Sequence, residues 1–173
     1  QSGRLQKSRA MQSLTNKTLQ NLAQKAIIAK LTDEYLLENE QQQLTHNILL
    51  SFGHKAVISL LNRVIHSNSR VERLALLNLI QTFGEGAIPA LQECLKQNPP
   101  WAVVRNIIYL ISEIGIDSHY DLAVRYLGHF DERVQHEMIC CVMQIGGQES
   151  KKRLLEALGV VNDRLKTHII RLL

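Results

Sequence analysis

Apolar residues recur along the chain on a 31-residue beat. Leu49, Ile80, Ile111, Val142 and Leu173 occupy one position of it, Ile48, Leu79, Leu110, Cys141 and Leu172 the next, and Leu60, Leu91 and Leu122 a third. Gly53, Gly84, Gly115 and Gly146 fall on the same interval, directly after Phe52, Phe83, Ile114 and Ile145. Independent columns that hold register over four or five turns of the pattern mean that one supersecondary unit recurs and stacks.

Each period reads as two helices. From Gly84, the first carries Ala87, Ile88, Leu91 and Leu95, with Pro89 in an opening turn where its missing N–H breaks no internal bond. Asn98-Pro99-Pro100 stops it, and the second helix runs from about Trp101 through Val104, Ile108 and Ile111 to Ile114, closed by Gly115. Ser67-Asn68-Ser69, Phe130-Asp131 and Asn162-Asp163 supply the matching turns, each with a residue able to cap the following helix. The first pair is more degenerate: a helix from roughly Asn16 to Leu31, a polar junction over Glu38–Gln43, and a second helix on Leu44, Ile48 and Phe52. The expected organisation of residues 1–173 is one domain. It has a basic leader (1–15) and five helix pairs, approximately 16–52, 53–83, 84–114, 115–145 and 146–173, the last cut short.

Composition agrees with an all-α chain. Apolar residues make up 45% and aromatics only 5%, and no Val/Thr/Tyr alternation points to a sheet. No apolar run reaches the roughly 18 residues that a membrane span needs. The net charge of +4 belongs to the start of the chain: residues 1–30 hold Arg4, Lys7, Arg9, Lys17, Lys25 and Lys30 and no acid, which leaves 14 of the 20 basic residues against all 16 acidic ones. A balance of about −2 over the repeats makes nucleic acid an unpromising partner, except through the leader. Cys94, Cys140 and Cys141 lie within helical patterns and read as free thiols of a reducing, cytoplasmic compartment. The opening Gln1-Ser2-Gly3 and the unpolar ending Ile169, Ile170, Leu172, Leu173 give the expectation of a fragment of a longer protein, or of an end that self-associates.

The stretches GEGAIPALQECL (84–95) and DERVQHEMICCVMQIGG (131–147) resemble HEAT repeats, in particular the short bacterial phycobilisome-lyase-like type. In that pattern the second helix opens on Asp, then Val-Arg, then a small residue, and closes on Leu-Gly or Ile-Gly. Asp131, Val134, Met138, Ile145 and Gly146 are similar to this plan, as are Val71-Ala75-Phe83-Gly84 and Val104-Arg105-Ile108-Ile114-Gly115. Ile108 and Met138 are bulky where a small residue is usual, and the Val lies 18, 20 or 19 residues after its Gly. The resemblance covers about residues 20–173 and implies a right-handed α-solenoid whose second helices line the concave face.

Two residues follow each anchor of a second helix, and all are polar: Thr45/His46, Glu72/Arg73, Arg105/Asn106, Gln135/His136 and Lys166/Thr167. They form either a solvated stripe or a mixed polar groove for a protein partner, or for another domain of the parent chain, in which Arg73, Arg105 and Lys166 pair with carboxylates. Trp101, the lone Trp, is either a lid on the core edge or a partner anchor. The expected partner-binding set is therefore His46, Arg73, Arg105, Asn106, His136, Lys166 and Trp101.

Catalysis finds no cluster to rest on. His136-Glu137 invites comparison with deoxyhypusine hydroxylase, whose HEAT-like repeats hold iron through paired His-Glu dipeptides. The corresponding places here, including Arg73-Leu74, Asn106-Ile107 and Thr167-His168, do not repeat it. Cys140 stands where a zinc-protease HExxH motif would have its second His. No metal, cofactor or phosphate loop is expected, and the chain reads as a non-catalytic scaffold. The alternatives are a phycobilin-lyase-like or other ligand-handling protein, marked by a sizeable apolar pocket, and nucleic-acid binding through the basic N-terminal segment.

Overall fold

The computed structural model describes residues 25–173 together with Met11 and Lys17. The leader expected over 1–15 and the first turns expected from Asn16 otherwise lie outside the described residues. Among those residues every regular element is helical. The order is α1 (Lys25–Leu36), α2 (Gln42–Ser51), α3 (His54–His66), α4 (Arg70–Gln81), a 3-10 turn (Gly84–Ala87), α5 (Ile88–Lys96), α6 (Trp101–Ala123), a second 3-10 stretch (Val124–Gly128), α7 (Glu132–Ile145), α8 (Gly147–Ala157) and α9 (Asp163–Leu172). No single helix among them is long and apolar enough to cross a membrane. The chain divides into two compact units, Gln1–Ala87 and Ile88–Leu173.

In the first unit α1 packs on α2 and α3, and α3 packs on α4. The stripe Ala56, Val57, Leu60, Leu61 and Val64 turns one face of α3 inward, where it joins buried Ile28, Leu49, Leu76 and Ile80. Phe52 and Gly53 alone separate α2 from α3, and Gly53, at φ +53°, lets the chain turn through 115° between them. Helix α1 extends past the expected Leu31 to Leu36. Thr32 lies in this extension with its side chain buried, and its hydroxyl is satisfied by donating to the Ile28 carbonyl at 2.7 Å.

A further departure concerns α2. Leu44, expected to face the core, is 60% exposed, and Thr45 is buried in its place. Leu49 fixes this orientation: it is fully buried, and Thr45, four residues earlier, stands on the same helix face.

In the second unit α6 packs on α5 and α7, while α8 and α9 both pack on α7. Asn98, at φ +49°, and Pro100 separate α5 from α6 as the sequence predicts. The core gathers Leu91, Ile107, Ile108, Leu110, Ile111, Val134, Met138, Ile139, Val142 and Ile169. Gly115 interrupts α6 with φ 154°, ψ 85°. Beyond it, the inward residues are Ile116, Ala123 and Leu127, with Leu122 only half-buried. The chain then tightens into the 3-10 stretch, within which Leu127 turns inward. At the far end Ile169 is buried while Ile170 and Leu173 remain exposed.

The turn chemistry follows the sequence. The side chains of Ser69, Asp131 and Asn162 accept from the backbone N–H groups of Glu72, Arg133 and Arg164, respectively, and so cap α4, α7 and α9. Gly146 ends α7 and begins α8 at φ 74°, ψ 176°, a conformation essentially reserved for glycine.

Candidate functional site

Helices α6, α7 and α9 each carry a buried apolar residue in the opening turn, Val104, Val134 and Leu165. Anchoring that residue inward leaves other side chains of the same turns, Arg105, Arg133, His136 and Arg164 among them, exposed. The outward side chains enclose a cavity of about 320 Å³ lined by Arg105, Glu132, Arg133, His136, Glu137, Arg164 and Leu165. All but Leu165 are charged or polar.

Arg133 is the most constrained of the three arginines. Its Nη2 lies 2.7 Å from Asp131 Oδ2 and its Nε 3.0 Å from Oδ1, and its guanidinium sits 3.3 Å from the centre of the Trp101 ring. The hydrogen bond from Arg133 holds the Asp131 carboxyl at about 2, well below its ordinary value. Arg105 is exposed, stands 5.9 Å from the Trp101 ring, and spends one Nη2–H on Asn106 at 3.3 Å. Arg164, its side chain 83% exposed, makes a long 3.7 Å pair with Glu132. Glu137 is half-buried, and that burial raises its carboxyl above the ordinary value despite the nearby charges of Arg105 and His136; Glu113 pushes it the same way.

The expected site residues divide by unit. In the second unit the groove unites Arg105 and His136, and Trp101 lies beneath Arg133, with Asn106 beside Arg105. His136 stacks on His168 at 5.3 Å, and its Nδ1 is 3.7 Å from Cys140 Sγ. Lys166 is half-buried and pairs with Asp163 at 2.8 Å; it is not among the groove's lining residues. Gln135, expected to be an outward rung, is buried: it donates to the His129 carbonyl at 2.6 Å and accepts from the Asn162 N–H at 2.8 Å, tying two turns together.

In the first unit the same positions are occupied structurally. His46 Nε2 lies 2.8 Å from the Thr82 hydroxyl, with the Tyr35 ring 6.0 Å away. Arg73 donates to the Ser67 carbonyl at 2.8 Å. Arg63 joins both Asp33 and Glu72, and Glu72 also accepts from the Ser67 hydroxyl. Burial lowers the Arg63 guanidinium, but hydrogen bonds and charge from the two carboxylates carry it above its ordinary value. The Ser67 hydroxyl and Arg63 draw Glu72 below its own. A second cavity of about 320 Å³ lies here, lined by Lys25, Ala29, Thr32, Ser59, Asn62, Arg63 and His66.

Arg133, Arg164, Glu132 and Glu137 are the charged lining residues that the polar pairs after each anchor do not include. A signal for two of them was present: Arg133 and Arg164 precede consecutive anchors and are themselves 31 residues apart. Among the described residues no group of three or more His, Cys, Asp or Glu side chains could hold a metal ion. The three thiols are free. Burial pushes Cys141 up to about 12, and burial together with Glu137 raises Cys140.

The fold defines an all-α protein with a mixed-charge groove in its second unit. No family model, curated protein or solved structure matches the chain.

Proposed function

We propose that the chain is a HEAT-like, non-catalytic interaction module of the cytoplasm, and that the groove of its second unit is where a protein partner docks. The finer architecture belongs to the same proposal: a right-handed α-solenoid of about five helix pairs, related to the phycobilisome-lyase-like HEAT repeats. Burial of Leu49, Ile80, Ile111 and Val142 at 31-residue intervals supports it, as do the positive φ angles at Gly53, Gly84, Gly115 and Gly146.

One observation carries the functional reading. Side chains from three helices surround one groove, and Arg133, paired with Asp131 and lying over Trp101, gives it an aromatic and cationic edge of the kind that anchors protein partners. A ligand-handling protein would want a deep apolar pocket, whereas six of the seven lining residues are charged or polar. The nucleic-acid alternative rests on residues 1–30, most of which lie outside the described ones.

Photo-crosslinking groups placed at Arg105 and His136, with one at Lys151 as a control, test the docking surface. The proposal expects one common adduct from the two groove positions and none from Lys151. Equal yields from all three would remove the groove from consideration. Small-angle scattering tests the architecture: a compact globule of this length has a radius of gyration of about 16 Å, and a stacked array must exceed it.

A further inference from the structure

Resting on the groove as a docking surface, we infer that its occupant is an acidic, extended segment of a partner protein, whose carboxylates pair with Arg105 and Arg164 beside the Trp101–Arg133 edge. The three arginines are not equivalent. Asp131 engages two nitrogens of Arg133 and the Trp101 ring covers a face of its guanidinium, so Arg133 serves as a fixed wall. Arg105 and Arg164 each have five N–H donors. Their contacts are a 3.3 Å bond to a neutral amide and a 3.7 Å pair at a mostly exposed position. Both are weak by the usual limits for charge-assisted bonds, so a partner's carboxylate can replace them with shorter, two-point contacts.

The lining also states what is excluded. Three arginines face Glu132 and Glu137, with Asp131 already bound to Arg133, so charge is balanced overall and the attraction for a carboxylate rests on the weakly held Arg105 and Arg164. A continuous phosphate backbone passing through would meet Glu132 and Glu137, and both would repel it. Discrete carboxylates on an extended peptide can alternate with neutral residues and avoid them. Basic segments fare worse, because Arg105, Arg133 and Arg164 oppose them and Glu137 is half-buried. Discrimination here comes as much from repulsion of the wrong partner as from attraction of the right one.

The lone Trp reports on the site directly. The full chain is titrated at about 0.1 M ionic strength with a peptide of alternating Glu and Ser, its Lys-for-Glu counterpart, and a single-stranded oligonucleotide, following Trp101 emission and ligand anisotropy. The acidic peptide is expected to bind saturably and to weaken as salt rises. Arg105→Gln and Arg164→Gln should each lower its affinity by about tenfold, while Arg125→Gln, beside Tyr126 and outside the groove, should change it less than twofold. Circular dichroism and thermal melts establish that each variant is folded. Tighter binding of the lysine peptide or the oligonucleotide, no binding of the acidic peptide, or indifference to both groove substitutions would overturn the inference. Should crosslinks from Arg105 and His136 persist in any of these cases, the docking surface stands and only the partner's chemistry is wrong; their absence sinks both.

Discussion

The two units place the same sequence pattern in opposite environments. In the second, the anchors Val104, Val134 and Leu165 are buried, and Arg105, Arg133, His136 and Arg164 beside them line a groove, while Gln135 is itself buried and Lys166 lies outside it. In the first, the matching residues Leu44 and Val71 face solvent, Val71 at 78% exposure. The polar residues beside them instead close the structure: Thr45 enters the core, Glu72 binds Arg63 and Ser67, and Arg73 binds the Ser67 carbonyl. An outward polar pair becomes a candidate binding surface only where the apolar residue before it is held inside. A repeat motif therefore specifies a helix more strongly than it specifies which way that helix is rotated.

The largest expected effect tests that rotation. Val134→Ala should cost about 2 kcal/mol, combining lost burial with the cavity left behind, whereas Val71→Ala at the equivalent position should stay within about 0.5 kcal/mol. Chemical denaturation of both variants measures the contrast, and equal losses would mean that the units share one register after all. Next in size is Arg63→Gln. Removing the bridge between Asp33 and Glu72 should destabilise the protein by about 1 kcal/mol in low salt and by less as salt screens the pair. A loss that does not respond to salt would assign Arg63 a packing role instead.

The smallest effect concerns acid. Asp131 titrates at about 2 in the folded protein, below its ordinary value of 3.8, because Arg133 holds it ionised. Its contribution is therefore present above pH 3.8 and is lost as pH falls through about 2. Trp101 emission should report release of the Arg133 guanidinium in that range, and Asp131→Asn should show the released signal at neutral pH. A wild-type transition centred near 4 would show that the latch does not form.

The sequence made the helices legible because helix punctuation is local. Ser69, Asp131 and Asn162 cap as their residue types require, and Asn98-Pro99-Pro100 breaks the chain where proline must. The column Leu49, Ile80, Ile111, Val142 was equally readable, since four fully buried residues on one interval leave a strong periodic trace. Rotation was less visible. Leu44 and Thr45 are adjacent, and the choice between them depends on Leu49 four residues later and on what α1 packs against it. Of the candidate site, Arg105, His136 and Trp101 were accessible from their positions after anchors and turns. Arg133 and Arg164 left a weaker trace, their 31-residue spacing before consecutive anchors, because their placement depends on the packing that brings α6, α7 and α9 to one groove and sets Arg133 over Trp101. Gln135 misled for a related reason: a polar side chain reads as outward unless the two turns it joins are known to be adjacent.

Arg73 and Arg105 stand at nearby ladder positions with opposite assignments, and their comparison tests the central claim most directly. The measurement is the dissociation constant of the acidic peptide for Arg73→Gln and Arg105→Gln in the full chain under identical salt. The account predicts about a tenfold loss for Arg105→Gln and less than a twofold change for Arg73→Gln, whose guanidinium is bound to the Ser67 carbonyl. Equal losses from the two, or a larger loss from Arg73→Gln, would contradict it.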